Sequence, residues 1–211
     1  MAISDVLGRT AAELALFAGV GFLLFSINDV LVDLIYIGRA FWRAFGVYTR
    51  YPRSFASQLP NAENPGFLAV LVPAWDESAV IGAMLSAAIQ RFDHPDYRIF
   101  VGYYRNDPAT LAAIASVAHV RIEPVEIDAD GPTTKADCLN HLYDALIVHE
   151  TLRHRAAKAV VLHDAEDVVH PLELKVFDRL IDRAAVVQLP VIPLPDPESR
   201  WIAGHYCDEF A

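Results

Sequence analysis

Cysteine is nearly absent: the chain has two, Cys138 and Cys207, with no CxxC spacing. That excludes a disulfide scaffold and a thiolate metal centre, and without a signal-peptide context both read as reduced thiols. A glycine-rich phosphate loop is also missing. No stretch spells the dinucleotide or P-loop pattern, which argues against a kinase or an NAD enzyme. The net charge is −10 and no basic patch suits a polyanion, so nucleic acid is not an expected partner. A nucleotide remains open, provided a local cation, Lys or Arg offsets its phosphates. There is no basic leader with a small-residue cleavage site, so a cleaved signal peptide is disfavoured. Internal repeats and low-complexity tracts are absent.

Apolar residues are abundant, at 54% of the chain, against about 45–50% in ordinary globular domains. Much of the excess lies near the N-terminus. Leu14–Ile27, LALFAGVGFLLFSI, carries no charge, and Asn28-Asp29 and VLVDLIYI follow. A spanning helix needs roughly 20 mostly apolar residues. Arg39, Arg43, Arg50 and Arg53 come next, interleaved with Phe41, Trp42, Phe45, Tyr48 and Tyr51. Arginines and aromatics after an apolar run resemble a cytoplasmic membrane edge. The alternatives are a buried helix of a soluble protein, or a second, interfacial helix over Asn28–Phe45 that keeps Asp29 and Asp33 out of lipid. Residues 1–57 are therefore expected to be a transmembrane or interfacial helical segment, and 58–66, QLPNAENPG, a linker.

From Phe67 the pattern alternates between strand and helix. Strands are expected at Phe67–Trp75, Tyr97–Tyr104, Val120–Ile127, Ala159–Leu162 and Ala185–Leu194, the last broken by Pro190 and Pro193. Helices are expected at Ser78–Arg91, from Asp107-Pro108 to about Ala118, at Lys135–His154, and at Leu172–Arg183 with Pro171 opening it. This alternation implies an α/β fold: a mainly parallel, Rossmann-like sheet covered by helices.

In such sheets ligands bind at the carboxyl ends of the strands. Four chain segments meet at that edge. The fourth strand runs into Asp164-Ala165-Glu166-Asp167, whose carboxylates suit a hard divalent cation and, through it, phosphates. The first strand ends in Pro73-Ala74-Trp75-Asp76-Glu77, and the second in Arg105-Asn106-Asp107. After the third, a loop leads to Lys135. Glu77 or Asp107 can accept from a base N–H, and Lys135 near a helix N-terminus can meet phosphates. Each also has a structural reading: Asp107 as a helix cap, Glu77 as a first-turn acid, Lys135 as a solvated lysine.

Taken in order, VPAWDES, YRND, GPTTKADCLN, HDAED and VVQLPV resemble the nucleotide-binding half of a family-2 glycosyltransferase. With the apolar N-terminus they resemble its phage-adsorption protein B group of membrane glycosyltransferases. The resemblance implies a GT-A fold, a nucleoside diphosphate sugar donor, Mg or Mn, and inverting transfer to a glycan acceptor. It implies Pro73, Ala74, Trp75 and Glu77 around the nucleoside, Asp107 at the base, and Lys135 at the base or diphosphate. Asp164 and Glu166 take the places of the DxD acids, with Asp167 as the other candidate for the second. Gln188 falls near the donor sugar or acceptor entrance. The location implied is the inner, cytoplasmic membrane, with the catalytic domain facing the cytoplasm and lipid as a partner.

No acid after the DxD-like motif matches the family's catalytic base, since Asp208 and Glu209 come too early. Residues 67–211 are therefore expected to be a C-terminally incomplete domain. The missing part, or another membrane protein, would complete it. The competing expectation is a non-catalytic, membrane-anchored module that binds a nucleotide or docks a partner.

Overall fold

The computed structural model describes residues 2–192 together with Leu194 and Ser199. Pro193, Pro197, Glu198, Cys207, Asp208 and Glu209 lie outside the described residues. The chain divides into two compact units, Met1–Phe55 and Ala56–Ala211.

The first unit is dominated by one helix, α1, Ala2–Trp42. It is long and apolar enough to cross a membrane, with a mean hydropathy of 2.0 in its most apolar window and none of that window buried in protein. At 1.5 Å per residue, 41 residues span about 60 Å, twice a bilayer's hydrocarbon core of ~30 Å. The separate helix expected over Asn28–Phe45 does not occur. No proline or glycine interrupts residues 22–37, so the backbone passes Asn28-Asp29 without a break. The helix then widens into a π-helical turn at Arg43–Val47.

The second unit holds a four-stranded parallel sheet in the order β3-β2-β1-β4. The strands are β1 Leu68–Pro73, β2 Tyr97–Tyr104, β3 Ile122–Ile127 and β4 Ala159–Leu162. Helices α2 Ile81–Arg91, α3 Pro108–Ala115, α4 Lys135–Arg153 and α5 Glu173–Leu180 complete it. This is the α/β architecture that the alternating pattern implied.

β1 reads as an unbroken apolar run because both its faces are buried. Leu68, Val70 and Val72 pack with Ile81, Met84, Leu85 and Ala88 of α2, Ile114 of α3 and Leu174 of α5. Ala69 and Leu71 point the other way, with Phe100, onto Cys138, Leu142 and Leu146 of α4. β2 does the same, with Ile99 and Val101 on the first side and Phe100 and Tyr104 on the second, so the two cores share the two central strands.

The expected fifth strand is absent: residues 184–192 form no strand, and Val186, Val191 and Ile192 are exposed. Pro190 removes a ladder donor from the middle of that run. Pro171 does not open α5. It sits in a turn, and the helix starts at Glu173, whose Oε2 accepts from His170 N at 3.4 Å. α2 starts three residues later than expected, because Asp76 adopts a left-handed φ of 58° and Ser78–Val80 form a turn.

Candidate functional site

Three strand ends deliver side chains to one cavity of about 270 Å³. Pro73, Ala74, Trp75 and Glu77 follow β1, and Asp164, Ala165 and Glu166 follow β4. Tyr104 closes β2, while Thr133, Lys135 and Cys138 come from the loop and helix after β3. Parallel strands bring these separated segments to one rim.

The apolar wall is aromatic. Trp75 meets Tyr104 edge to face at a centroid distance of 5.2 Å. Tyr104 Oη is hydrogen-bonded to Thr133 Oγ1 at 2.7 Å. Loop 128–134 is tied down by Asn106, whose Nδ2 donates to Gly131 O and whose Oδ1 accepts from Gly131 N, both at 2.8 Å. Arg105 pairs with Asp130 at 2.8 Å across the same loop. A Cβ on Gly131 would overlap the Trp75 ring, so only glycine lets the loop backbone lie against the indole.

The polar wall is acidic, with one cation. Lys135 Nζ donates to Asp164 Oδ1, the two side chains being about half exposed. Lys135 is the first residue of α4, whose N-cap Thr134 accepts from Asp137 N at 3.1 Å. Its charge therefore stands beside unpaired backbone N–H groups and the positive end of the helix. Burial, and then the negative charges of Glu166, Asp76 and Asp164, hold the Glu77 carboxyl above its ordinary value. Acids from two strand ends thus feel one another across the cavity.

Asp107 does not line the cavity. Its Oδ1 accepts from Thr110 N at 3.2 Å, capping α3, and its Oδ2 accepts from Asp76 N at 2.7 Å. Glu77 N donates to Thr110 Oγ1 at 3.0 Å. Burial raises the Asp107 carboxyl, but the Thr110 and Asp76 donors outweigh it and leave it below the usual range. Asp107 therefore holds the strained Asp76 turn and, through it, aims Trp75 and Glu77.

Asp167 also turns inward. Its Oδ2 accepts from Asp164 N at 2.9 Å and lies 2.8 Å from His163 Nδ1. His163 Nε2 is 2.7 Å from Glu173 Oε1, an ion-pair contact outside hydrogen-bond alignment. Burial alone would lower His163, yet the two carboxylates push it up to about 9. This leaves Asp164 and Glu166 as the acids presented to the cavity. Gln188 is exposed in the irregular segment after α5 and is not among the lining residues.

Sequence reasoning missed Tyr104, Thr133, Cys138 and Ala165 as lining residues. YRND and GPTTKADC contain three of them, but strand periodicity does not reveal that the last residue of a buried strand faces a crevice.

Among the described residues no three His, Cys, Asp or Glu side chains form a ready metal cage. The donor set still fits Mg or Mn of the kind held by one or two carboxylates, water and a ligand's own phosphates. Asp164 and Glu166 are the carboxylates the cavity lining presents after β4.

The sequence model described as Glycosyltransferase like family 2 matches residues 65–211. Bacteriophage adsorption protein B of Escherichia coli strain K12 is 39% identical over 189 residues, 88% of this chain. Bacteriophage N4 adsorption protein B of Escherichia coli O157:H7 is equally similar. The chain spans 25% of the length of each of these two relatives. Among solved structures, the mannosyltransferase PcManGT from Pyrobaculum calidifontis, in complex with GDP-Man and Mn2+, aligns with a TM-score of 0.46 and 18% identity. That alignment covers 82% of this chain and 48% of that one. On the strength of the match over residues 65–211, the chain belongs to glycosyltransferase-like family 2.

Proposed function

We propose that the chain binds a nucleoside diphosphate sugar together with Mg or Mn at the carboxyl edge of the sheet, as the donor-binding part of an inverting, membrane-attached glycosyltransferase. One observation carries this reading: side chains from the ends of β1, β2 and β4 and from the start of α4 line a single cavity with one aromatic and one acidic wall.

In this reading the base lies along Trp75 and Tyr104, between Pro73-Ala74 and loop 128–134. Glu77 accepts a base N–H. Lys135 and the first backbone N–H groups of α4 receive the diphosphate. Asp164 and Glu166 hold the cation, which stabilises the departing diphosphate when bound. Asp107 and Asp167 are positioning residues. Inversion requires a base within about 3 Å of the acceptor oxygen, and the reading assigns that role to none of the described residues. Residues 1–57 form the membrane segment, 58–66 the linker, and the chain from 67 onward the donor-binding domain on the cytoplasmic face of the inner membrane.

Calorimetric titration of the purified chain with UDP and GDP, with and without Mn, tests this. Binding of at least one nucleotide should require the metal. Asp164→Asn should weaken it by at least about tenfold, as loss of a charged metal ligand does. Metal-independent binding that Asp164→Asn leaves unchanged would refute the assignment.

A further inference from the structure

The N-terminal unit contains a second cavity, of about 500 Å³, with a different chemistry. Tyr36, Ala40, Arg43, Ala44, Tyr48, Arg53 and Ser54 line it. It forms where α1 passes into the π-helical turn Arg43–Val47 and the chain folds back through Tyr48–Arg50. Such widened turns recur at functional positions because they re-aim side chains out of the regular helical order. Arg53 lies over the Tyr48 ring, with Cζ 4.4 Å from the centroid, so its planar guanidinium is oriented by stacking.

The local charge is unlike that of the rest of the molecule. Residues 34–62 hold Arg39, Arg43, Arg50 and Arg53 and no Asp or Glu, in a chain whose net charge is −10. Among the described residues none of these four arginines has a carboxylate within 4.0 Å. The other described ion pairs lie in the second unit, so this cavity holds the concentrated positive charge without an internal counter-ion. Its position along the chain matters too. A hydrocarbon core takes about 20 residues; counted from Leu14, these end at Asp33, and Tyr36, the first lining residue, follows Leu34 and Ile35 on the same helix. An opening bordered by two tyrosines and two arginines therefore falls at headgroup level.

We propose that this cavity binds the phosphate of an anionic lipid headgroup, held by Arg43 and Arg53 and bordered by Tyr36 and Tyr48. The proposal rests on the membrane attachment inferred above. Bidentate guanidinium groups match phosphate oxygens in geometry, and the aromatic border suits the boundary between acyl chains and water.

The test separates this site from attachment itself. The full chain is first floated with vesicles of phosphatidylcholine alone; failure to float refutes membrane attachment. Chain reconstituted in nanodiscs of phosphatidylcholine and phosphatidylglycerol is then examined by native mass spectrometry for retained phosphatidylglycerol. The wild type should retain it. Arg43→Gln/Arg53→Gln should reduce retention by at least about tenfold while still floating with phosphatidylcholine and keeping its helical circular dichroism. Arg39→Gln/Arg50→Gln removes the same charge outside the cavity lining and should change retention by less than about twofold. Equal losses in the two double variants would mean a diffuse basic collar and overturn the site. Displacement of phosphatidylglycerol by an equal concentration of inorganic phosphate would assign the cavity to a free anion instead, and likewise overturn the lipid assignment.

Discussion

The two ends of the sheet both carry clusters of charge, and they use it in opposite ways. At the amino ends of the strands, Asp178 is 4% exposed and its acceptors are all engaged. Its Oδ1 lies 2.9 Å from Lys158 Nζ and 3.2 Å from Gly66 N, and its Oδ2 is 3.3 Å from His94 Nε2. Lys158 also donates to Asn64 O, Asp178 O and Asp182 Oδ2 at 2.7–2.9 Å. This cluster fastens α5 and the entry to β1 against β4. At the carboxyl ends, Asp164, Glu166 and Glu77 converge on open space, with Lys135 as the one cation among the described residues that line it. Charge that is buried and saturated with partners is structural. Charge that converges and stays half exposed is available to a ligand.

Breaking the saturated end should have the largest effect. Asp178→Ala leaves Lys158 and His94 without their shared partner and should destabilise the second unit by about 3–5 kcal/mol, read from urea unfolding. Acid should act in the same direction. Burial raises the Asp178 carboxyl, but Lys158, His94 and Gly66 N hold it below its ordinary value. Its contribution is present above the ordinary carboxylate pKa and is lost as pH falls through the lower, folded value.

The next effect lies at the carboxyl end but beneath the open charges, at buried His163, the residue after β4. Its folded pKa of about 9 lies above the ordinary 6.5. Its contribution is complete below 6.5 and is lost as pH rises through about 9, on the order of 3 kcal/mol. Unfolding midpoints measured from pH 6 to 10 should fall over that window, and His163→Gln should flatten the fall.

Gly66→Ala comes third. Its Cβ would overlap Lys158 Cβ and Cδ, so the lysine must leave its pairing geometry at a cost of about 1–3 kcal/mol. The smallest effect on stability belongs to the open end. Asp164→Asn should shift unfolding by no more than about 0.5 kcal/mol, like other exposed substitutions, although the nucleotide titration above expects it to weaken binding. A large loss of stability in Asp164→Asn would erase the contrast between the two ends.

Much of this was legible from residue order. β4 was readable as Ala159–Leu162 because Lys158 and a run of acids bound a short apolar stretch. The start of α3 followed from Asp107-Pro108, a cap and a preset φ. Lys135 and Asp164 were expected on one rim, and the parallel topology pairs them. What sequence could not give was the direction in which acids point. Asp164, Glu166 and Asp167 look equivalent as letters, yet Asp167 is drawn inward by His163, a residue whose burial depends on α5. The mistaken strand over 185–194 had the opposite cause. Its β-branched residues match a strand, but neither a cover nor a neighbouring strand is specified by local pattern.

That β1 and β2 each face both cores has an evolutionary consequence. Changes within the α4 layer, or within the α2, α3 and α5 layer, can be offset by neighbours in the same layer. Val70 and Leu71 sit back to back on one backbone, so a shift to accommodate either is felt on both sides and at the Pro73-Ala74-Trp75 end. Drift among relatives should therefore collect in the helices, leaving the two central strands, β1 and β2, as the slowest-changing segments.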